Sequence, residues 1–179
     1  MTSPLVIVAP PRSGAGLLAG LLQTGTEVTA GPLSRGHPID DAVDAAEVST
    51  HRLTSSDEFE WEYAPQGRVI EWNPRLGLRL GFLARTVPDA RFVIMNRRPV
   101  PTISSLMRGW RSGRFVSVPE LPDWWGEAWS FGLIPDWTDL IGVPPAEVCT
   151  RQWAGYVDAM LDDLEGIDPA RWIATSYER

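Results

Sequence analysis

The sequence has 179 residues, 44% hydrophobic and 22% charged, which places it among soluble globular chains of one domain and excludes a disordered one. No apolar run reaches the length of a membrane span, and the short N-terminal apolar stretch lacks the basic flank of a signal peptide. The net charge of −7 argues against nucleic-acid binding, and the single cysteine, Cys149, excludes a disulfide framework or cysteine zinc site and fits a reducing cytoplasm.

The first element is the apolar run Leu5-Val6-Ile7-Val8, a predicted buried strand. It leads into Ala9-Pro10-Pro11-Arg12-Ser13-Gly14-Ala15-Gly16-Leu17-Leu18, where the pattern predicts a helix over residues 13–22. Strand, Pro/Gly turn and helix build a phosphate cradle. The turn leaves backbone N–H groups unpaired, the helix adds the positive end of its dipole, and Arg12 supplies a charged fork. The same pieces form plain connections in many α/β chains, so the loop alone leaves both readings open. It is not the triphosphate-binding loop G-x-x-x-x-G-K-[ST], because the chain contains no Lys and Leu17 and Leu18 follow Gly16. A dinucleotide fingerprint would need a third Gly.

Residues 24–66 are polar and weakly periodic, and are predicted to hold loops with a short helix near residues 40–48. Residues 68–72 read as a short strand, and Asn73-Pro74 as a helix-start signal. Leu76, Leu80, Leu83 and Val87 then recur at helical spacing, predicting one helix over residues 75–87. Residues 91–95 are a predicted buried strand, and Pro99 opens a helix running to about residue 109. Residues 113–144 read as loop, with four Pro and four Trp. A long amphipathic helix over residues 147–164 follows, then a last strand over residues 171–177. In the long helix, Val148, Trp153, Val157, Met160, Leu161 and Leu164 form the expected core stripe. Strands alternating with helices predict a three-layer α/β/α domain around a central parallel sheet. Ligands of such sheets sit beyond the carboxyl ends of the strands, where the Arg12 loop and the turn at Arg97 would both lie.

Charge is segregated along the chain. Residues 90–119 carry six Arg (91, 97, 98, 108, 111 and 114) and no acid, whereas residues 120–168 carry eleven acids against Arg151. A basic window inside an acidic protein suits an anionic small ligand; a solvated basic helix face is the bland alternative. Within the window, Arg97-Arg98-Pro99 followed by Ser105 repeats the strand–turn–helix pattern of the first loop. Arg97 at the strand end can pair with a phosphate through two N–H bonds. Two such junctions on one sheet imply a ligand with phosphate at both ends.

With these residues in place, the chain resembles the bacterial form of the sulfotransferases that use 3′-phosphoadenosine 5′-phosphosulfate (PAPS). The family's first motif is a strand followed by P-[RK]-[ST]-G-[ST]-[ST], here Pro11-Arg12-Ser13-Gly14-Ala15-Gly16. Its second is a strand followed by R-x-P with a Ser eight residues after the Arg, here Arg97-Arg98-Pro99 and Ser105. Between them, Glu71-Trp72-Asn73-Pro74 resembles the E-K-[TS]-P segment. The resemblance runs from Leu5 to the closing Ser176-Tyr177-Glu178-Arg179.

It implies a sulfotransferase domain over residues 1–179 with the P-loop NTPase-like fold, transferring a sulfuryl group from PAPS to a hydroxyl of a small-molecule acceptor. Arg12, Ser13, Gly14, Ala15 and Gly16 would wrap the 5′-phosphosulfate, with Arg12 stabilising the leaving group. Arg97 and Ser105 would hold the 3′-phosphate. Glu71 would be the catalytic carboxylate; its alternative is pairing with Arg68 or Arg75. His37 and His51 match no motif and read as surface loop residues. This chemistry requires no metal, and oligomeric state is open.

Three departures stand out. Ala15 and Gly16 replace the family's paired hydroxyls, Trp72 replaces the Lys of E-K-[TS]-P, and a C-terminal portion of the family's chain is expected to be missing. A non-catalytic nucleotide-binding relative and a phosphotransferase with a degenerate loop therefore remain as alternatives. Trp110, Trp124, Trp125, Trp129 and Trp137 could line an acceptor pocket, but core packing is the preferred reading for most of them.

Overall fold

In the computed structural model, which describes residues 3–31, 33, 67–124 and 128–179, seven strands form two sheets. They are β1 (Leu5–Val8), β2 (Thr29–Ala30), β3 (Val69–Trp72), β4 (Arg91–Asn96), β5 (Val116–Val118), β6 (Trp129–Ser130) and β7 (Trp172–Ser176). Five make the main sheet, in the order β2-β3-β1-β4-β7, and every pairing in it is parallel. The apolar run of β1 reflects its central place, with Ile7 and Val8 fully buried.

Helices cover both faces. Strand residues alternate between faces, so Ile7, Ile70, Val93 and Met95 pack with Ala19 and Leu18 of α1 (Ala15–Gln23). Val6, Val8, Phe92 and Ile94 face the other way, toward Phe82 and Leu83 of α2 (Leu80–Thr86) and Met160 of α4 (Pro145–Leu164). The chain is therefore a three-layer α/β/α domain with a parallel central sheet, as its pattern predicts. A further cluster joins Leu106 and Trp110 of α3 (Pro99–Arg111) to Trp129, Trp137 and Tyr156.

The structure departs from the sequence-based expectations at four places. Thr29–Ala30, predicted as loop, is a two-residue edge strand beside β3. The helix predicted over residues 75–87 is broken: a 3-10 helix at Pro74–Leu78 is followed by Arg79 (φ −130°, ψ 15°) before α2 begins. That break lets a carboxylate from α4 cap α2, with the Gly81 N–H donating to Asp163 Oδ2 at 2.8 Å. A Cβ there would lie 2.8 Å from Asp163 Oδ1, so a side chain would have to shift the capping carboxylate. Residues 113–144 hold the antiparallel β5–β6 pair and a 3-10 turn at Trp137–Leu140.

The fourth difference concerns α4. Its buried face runs through Val148, Cys149, Gln152, Tyr156, Ala159 and Met160, leaving the predicted core residue Leu161 58% exposed. Gln152 is the polar centre of this face. Its Nε2 donates to the carbonyls of Ser130 (2.8 Å) and Gly132 (2.9 Å), and its Oε1 accepts from Trp110 Nε1 (3.1 Å). The Gln152 amide, satisfied on both sides, ties α3, α4 and β6 together. Trp110, Trp129 and Trp137 are core residues here, and Trp124 packs partly buried against them; Trp125 lies outside the described residues. No helix among the described residues is long and apolar enough to cross a membrane.

Candidate functional site

The turn after β1 is tightly wound. Ser13 N–H donates to the Pro10 carbonyl at 3.2 Å, and Arg12 (φ 69°) and Gly14 (φ 98°) both occupy the left-handed region. Gly14 is the N-cap of α1 and accepts the first helical bond, from Leu18 N–H at 3.0 Å. The amides of Ala15, Gly16 and Leu17 thus open the helix without carbonyl partners in its own first turn. A side chain at position 14 is excluded twice: by the positive φ, and by Tyr177, whose Cδ2 would lie 2.5 Å from a Cβ.

The second junction, from β4 into α3, meets this turn directly. Arg12 Nε donates to Ser105 Oγ at 3.0 Å, and Arg97 Nη1 donates to the Arg12 carbonyl at 3.2 Å. Each guanidinium also lies over a ring. Arg12 is 5.2 Å from the Phe115 centroid and Arg97 is 4.3 Å from that of Tyr177. The two motifs separated by 85 residues are therefore one structural unit.

These residues line a cleft of about 430 Å³ at the carboxyl end of the sheet. That is within the range of small-ligand sites, ~300–1,000 Å³. Arg12, Gly14, Ala15, Gly16, Arg97 and Ser105 line it, joined by the aromatic residues Trp72, Phe115, Phe131 and Tyr177. Its only charged residues among those described are Arg12 and Arg97, so its field is positive. Ser13 is 1% exposed and does not line the cleft; its Oγ finds no hydrogen-bond partner among the described residues, nor does the buried Nε of Arg97. A buried guanidinium N–H without an acceptor is costly. Phe131 is held at φ 64°, stacked on Phe115 with ring centroids 4.9 Å apart. A bulky residue in that region is an outlier, and both Phe131 and Arg12 lie in this cleft.

Glu71 is placed elsewhere. It is fully buried, and its carboxylate packs against Gly31 where a Cβ would otherwise sit, between β3 and the end of β2. Strand alternation explains this: Ile70 and Trp72 face α1, which turns Glu71 to the other side of the sheet. Trp72, by contrast, lines the cleft, with its Nε1 3.7 Å from the Cβ position of Gly16. Two departures from the sulfotransferase motifs thus meet in space, the indole lying over the glycine where a hydroxyl side chain is expected. Tyr177, Phe115 and Phe131 are cleft residues that motif spacing did not single out.

Of the basic window, Arg97 alone lines the cleft among the described residues. Arg98 binds Glu178, Arg91 donates to the Ala170 carbonyl, and Arg108, Arg111 and Arg114 are exposed on and after α3. Cys149 is buried in the core, and desolvation pushes its thiol up to about 12, which removes it as a nucleophile. His37 and His51 lie outside the described residues.

A second cleft, of about 340 Å³, lies between α4 and the turn at Trp137–Leu140. Asp136, Asp139, Asp158 and Asp162 line it with Arg151, the opposite charge balance.

No protein-family model matches the sequence, and no curated protein matches it as a relative. Among solved structures, a sulfotransferase domain from the curacin biosynthetic pathway is similar, with a TM-score of 0.56 at 14% identity over 99% of this chain and 68% of the other. At that identity the likeness is one of fold: the chain shares the α/β architecture of that sulfotransferase domain.

Proposed function

We propose that the cleft binds PAPS and that the protein transfers its sulfuryl group to a hydroxyl of a small-molecule acceptor. The observation that carries this is the meeting of Arg12 and Arg97, from two strand–turn–helix junctions, in one cleft without acids among its described residues. The residues present fit such a ligand. Arg12 and Arg97 supply positive charge, and the turn at Gly14 leaves the first amides of α1 open to an anion. The fold shared with a sulfotransferase domain supports the same reading.

In this reading the bond between sulfur and the bridging phosphate oxygen breaks while the acceptor oxygen bonds to sulfur and gives up its proton to solvent water. Negative charge grows on the leaving phosphate, where the Arg12 guanidinium and the amides of residues 14–16 stabilise it. Arg97 and Ser105 hold the 3′-phosphate and fix the donor's position, a proximity effect. Among the described residues lining the cleft none is a carboxylate or imidazole, and Glu71 is buried away from it. The role assigned to the cleft is therefore leaving-group stabilisation and positioning, without a named base.

Calorimetry tests this. The product nucleotide, 3′,5′-adenosine bisphosphate, is expected to bind in the micromolar range or tighter, with ATP plus Mg²⁺ at least about tenfold weaker. Incubation with PAPS and a panel of hydroxyl compounds is then expected to give a sulfated product. Preference for ATP with Mg²⁺ would favour the phosphotransferase alternative. Tight bisphosphate binding without product would favour a non-catalytic relative.

A further inference from the structure

We propose that Tyr177 is the positioning residue for Arg97, and that through Arg97 it sets the preference for a ligand carrying a second phosphate. This rests on the nucleotide reading of the cleft given above. Arg97 leaves the end of β4 on a long side chain whose Nη1 donates to the Arg12 carbonyl at 3.2 Å. That single bond leaves the guanidinium free to swing about it. The Tyr177 ring removes this freedom, since the guanidinium carbon lies 4.3 Å from the ring centroid. A guanidinium held over a ring centre has its position restricted, which favours a fixed pairing geometry with phosphate oxygens.

The ring is itself fixed from three directions. Tyr177 N–H donates to the Asn96 carbonyl at 2.8 Å, extending the β4–β7 ladder past the last strand residue. The ring edge presses on Gly14, where its Cδ2 would come within 2.5 Å of any Cβ. The next residue, Glu178, accepts from the Arg98 backbone N–H at 3.1 Å and from Ser176 Oγ at 2.7 Å. The end of β7 is thus wedged between the two phosphate junctions, with the ring face turned to Arg97. None of these contacts uses the phenol hydroxyl, so the π face is the operative group.

The test is a double-mutant cycle on phosphate preference, read as the ratio of the dissociation constants for 5′-AMP and 3′,5′-adenosine bisphosphate. Wild type is expected to favour the bisphosphate. Tyr177→Leu is expected to cut that preference about three- to tenfold, whereas Tyr177→Phe keeps it within about twofold. In an Arg97→Ala background, Tyr177→Leu is expected to change the ratio no further, the signature of action through Arg97. A wild type without any preference would overturn both the nucleotide reading and the positioning role. A wild type with the preference, but with Tyr177→Phe as damaging as Tyr177→Leu, would overturn the positioning role alone. So would a Tyr177→Leu effect that persists undiminished without Arg97, or a Tyr177→Leu variant with unchanged preference.

Discussion

The two clefts differ little in size, about 430 Å³ against 340 Å³, and oppositely in charge. The first lies at the carboxyl end of the sheet, where Arg12 and Arg97 arrive on separate strand–turn–helix junctions. The second lies on the flank of α4, where Asp158 and Asp162 sit four residues apart beside Asp136 and Asp139. Volume alone does not distinguish a binding site from a surface groove. The two clefts do differ in long-range construction. The basic cleft is closed by contacts between residues 85 and 93 positions apart, whereas the acidic one draws on a single long helix and the turn preceding it. An anionic ligand is steered to the first and repelled from the second.

The comparison breaks most visibly at Gly14. Gly14→Ala must tolerate φ 98° and a Cβ 2.5 Å from the Tyr177 ring. Left-handed strain of about 1–3 kcal/mol, before any clash, corresponds to a fall in melting temperature of roughly 2–12 °C in a chain of this size. Bisphosphate binding is expected to be lost with it, because the same residue caps α1. Thermal unfolding and calorimetry together check this; a variant that melts and binds like wild type would refute the loop geometry.

A smaller effect concerns the strap that holds the basic cleft. Hydrogen bonds from Ser176 and from the Arg98 backbone hold the Glu178 carboxyl below its ordinary value of 4.5. A carboxylate with a lowered folded-state pKa contributes stability that is present above that ordinary value and lost as pH falls through the lowered one. Glu178 is solvent-exposed, so the contribution is slight. Glu178→Gln is expected to melt lower than wild type at neutral pH, with the difference vanishing in acid. A difference that grows on acidification would contradict the assignment.

Much of this architecture is legible in the sequence, and the limits have physical causes. The four longer strands of the main sheet announce themselves as apolar runs, and Pro99 marks a helix start. The pair of strand–turn–helix junctions follows from two Arg-bearing turns at equivalent positions. Which face of β3 meets the cleft does not follow, because the chain pattern around Glu71 and Trp72 does not say where α1 packs. Once Ile70 is known to face α1, alternation brings Trp72 to the cleft and removes Glu71. Tyr177 was hidden for a different reason: its contacts with Gly14 and Arg97 span nearly the whole chain and obey no local period. The basic window overstated the site, since Arg108, Arg111 and Arg114 are exposed and of its Arg residues only Arg97 lines the basic cleft.

The central claim is that Arg97 reads a second phosphate in the basic cleft. Its most direct test is the ratio of affinities for 5′-AMP and 3′,5′-adenosine bisphosphate, measured for wild type, Arg97→Ala and, as a control in the other cleft, Asp158→Asn. Loss of charge-assisted bonds from Arg97 is expected to weaken bisphosphate binding about tenfold to a hundredfold while 5′-AMP binding changes little. Asp158→Asn is expected to leave both affinities unchanged. Equal weakening of the two nucleotides by Arg97→Ala, or no weakening at all, would contradict the account.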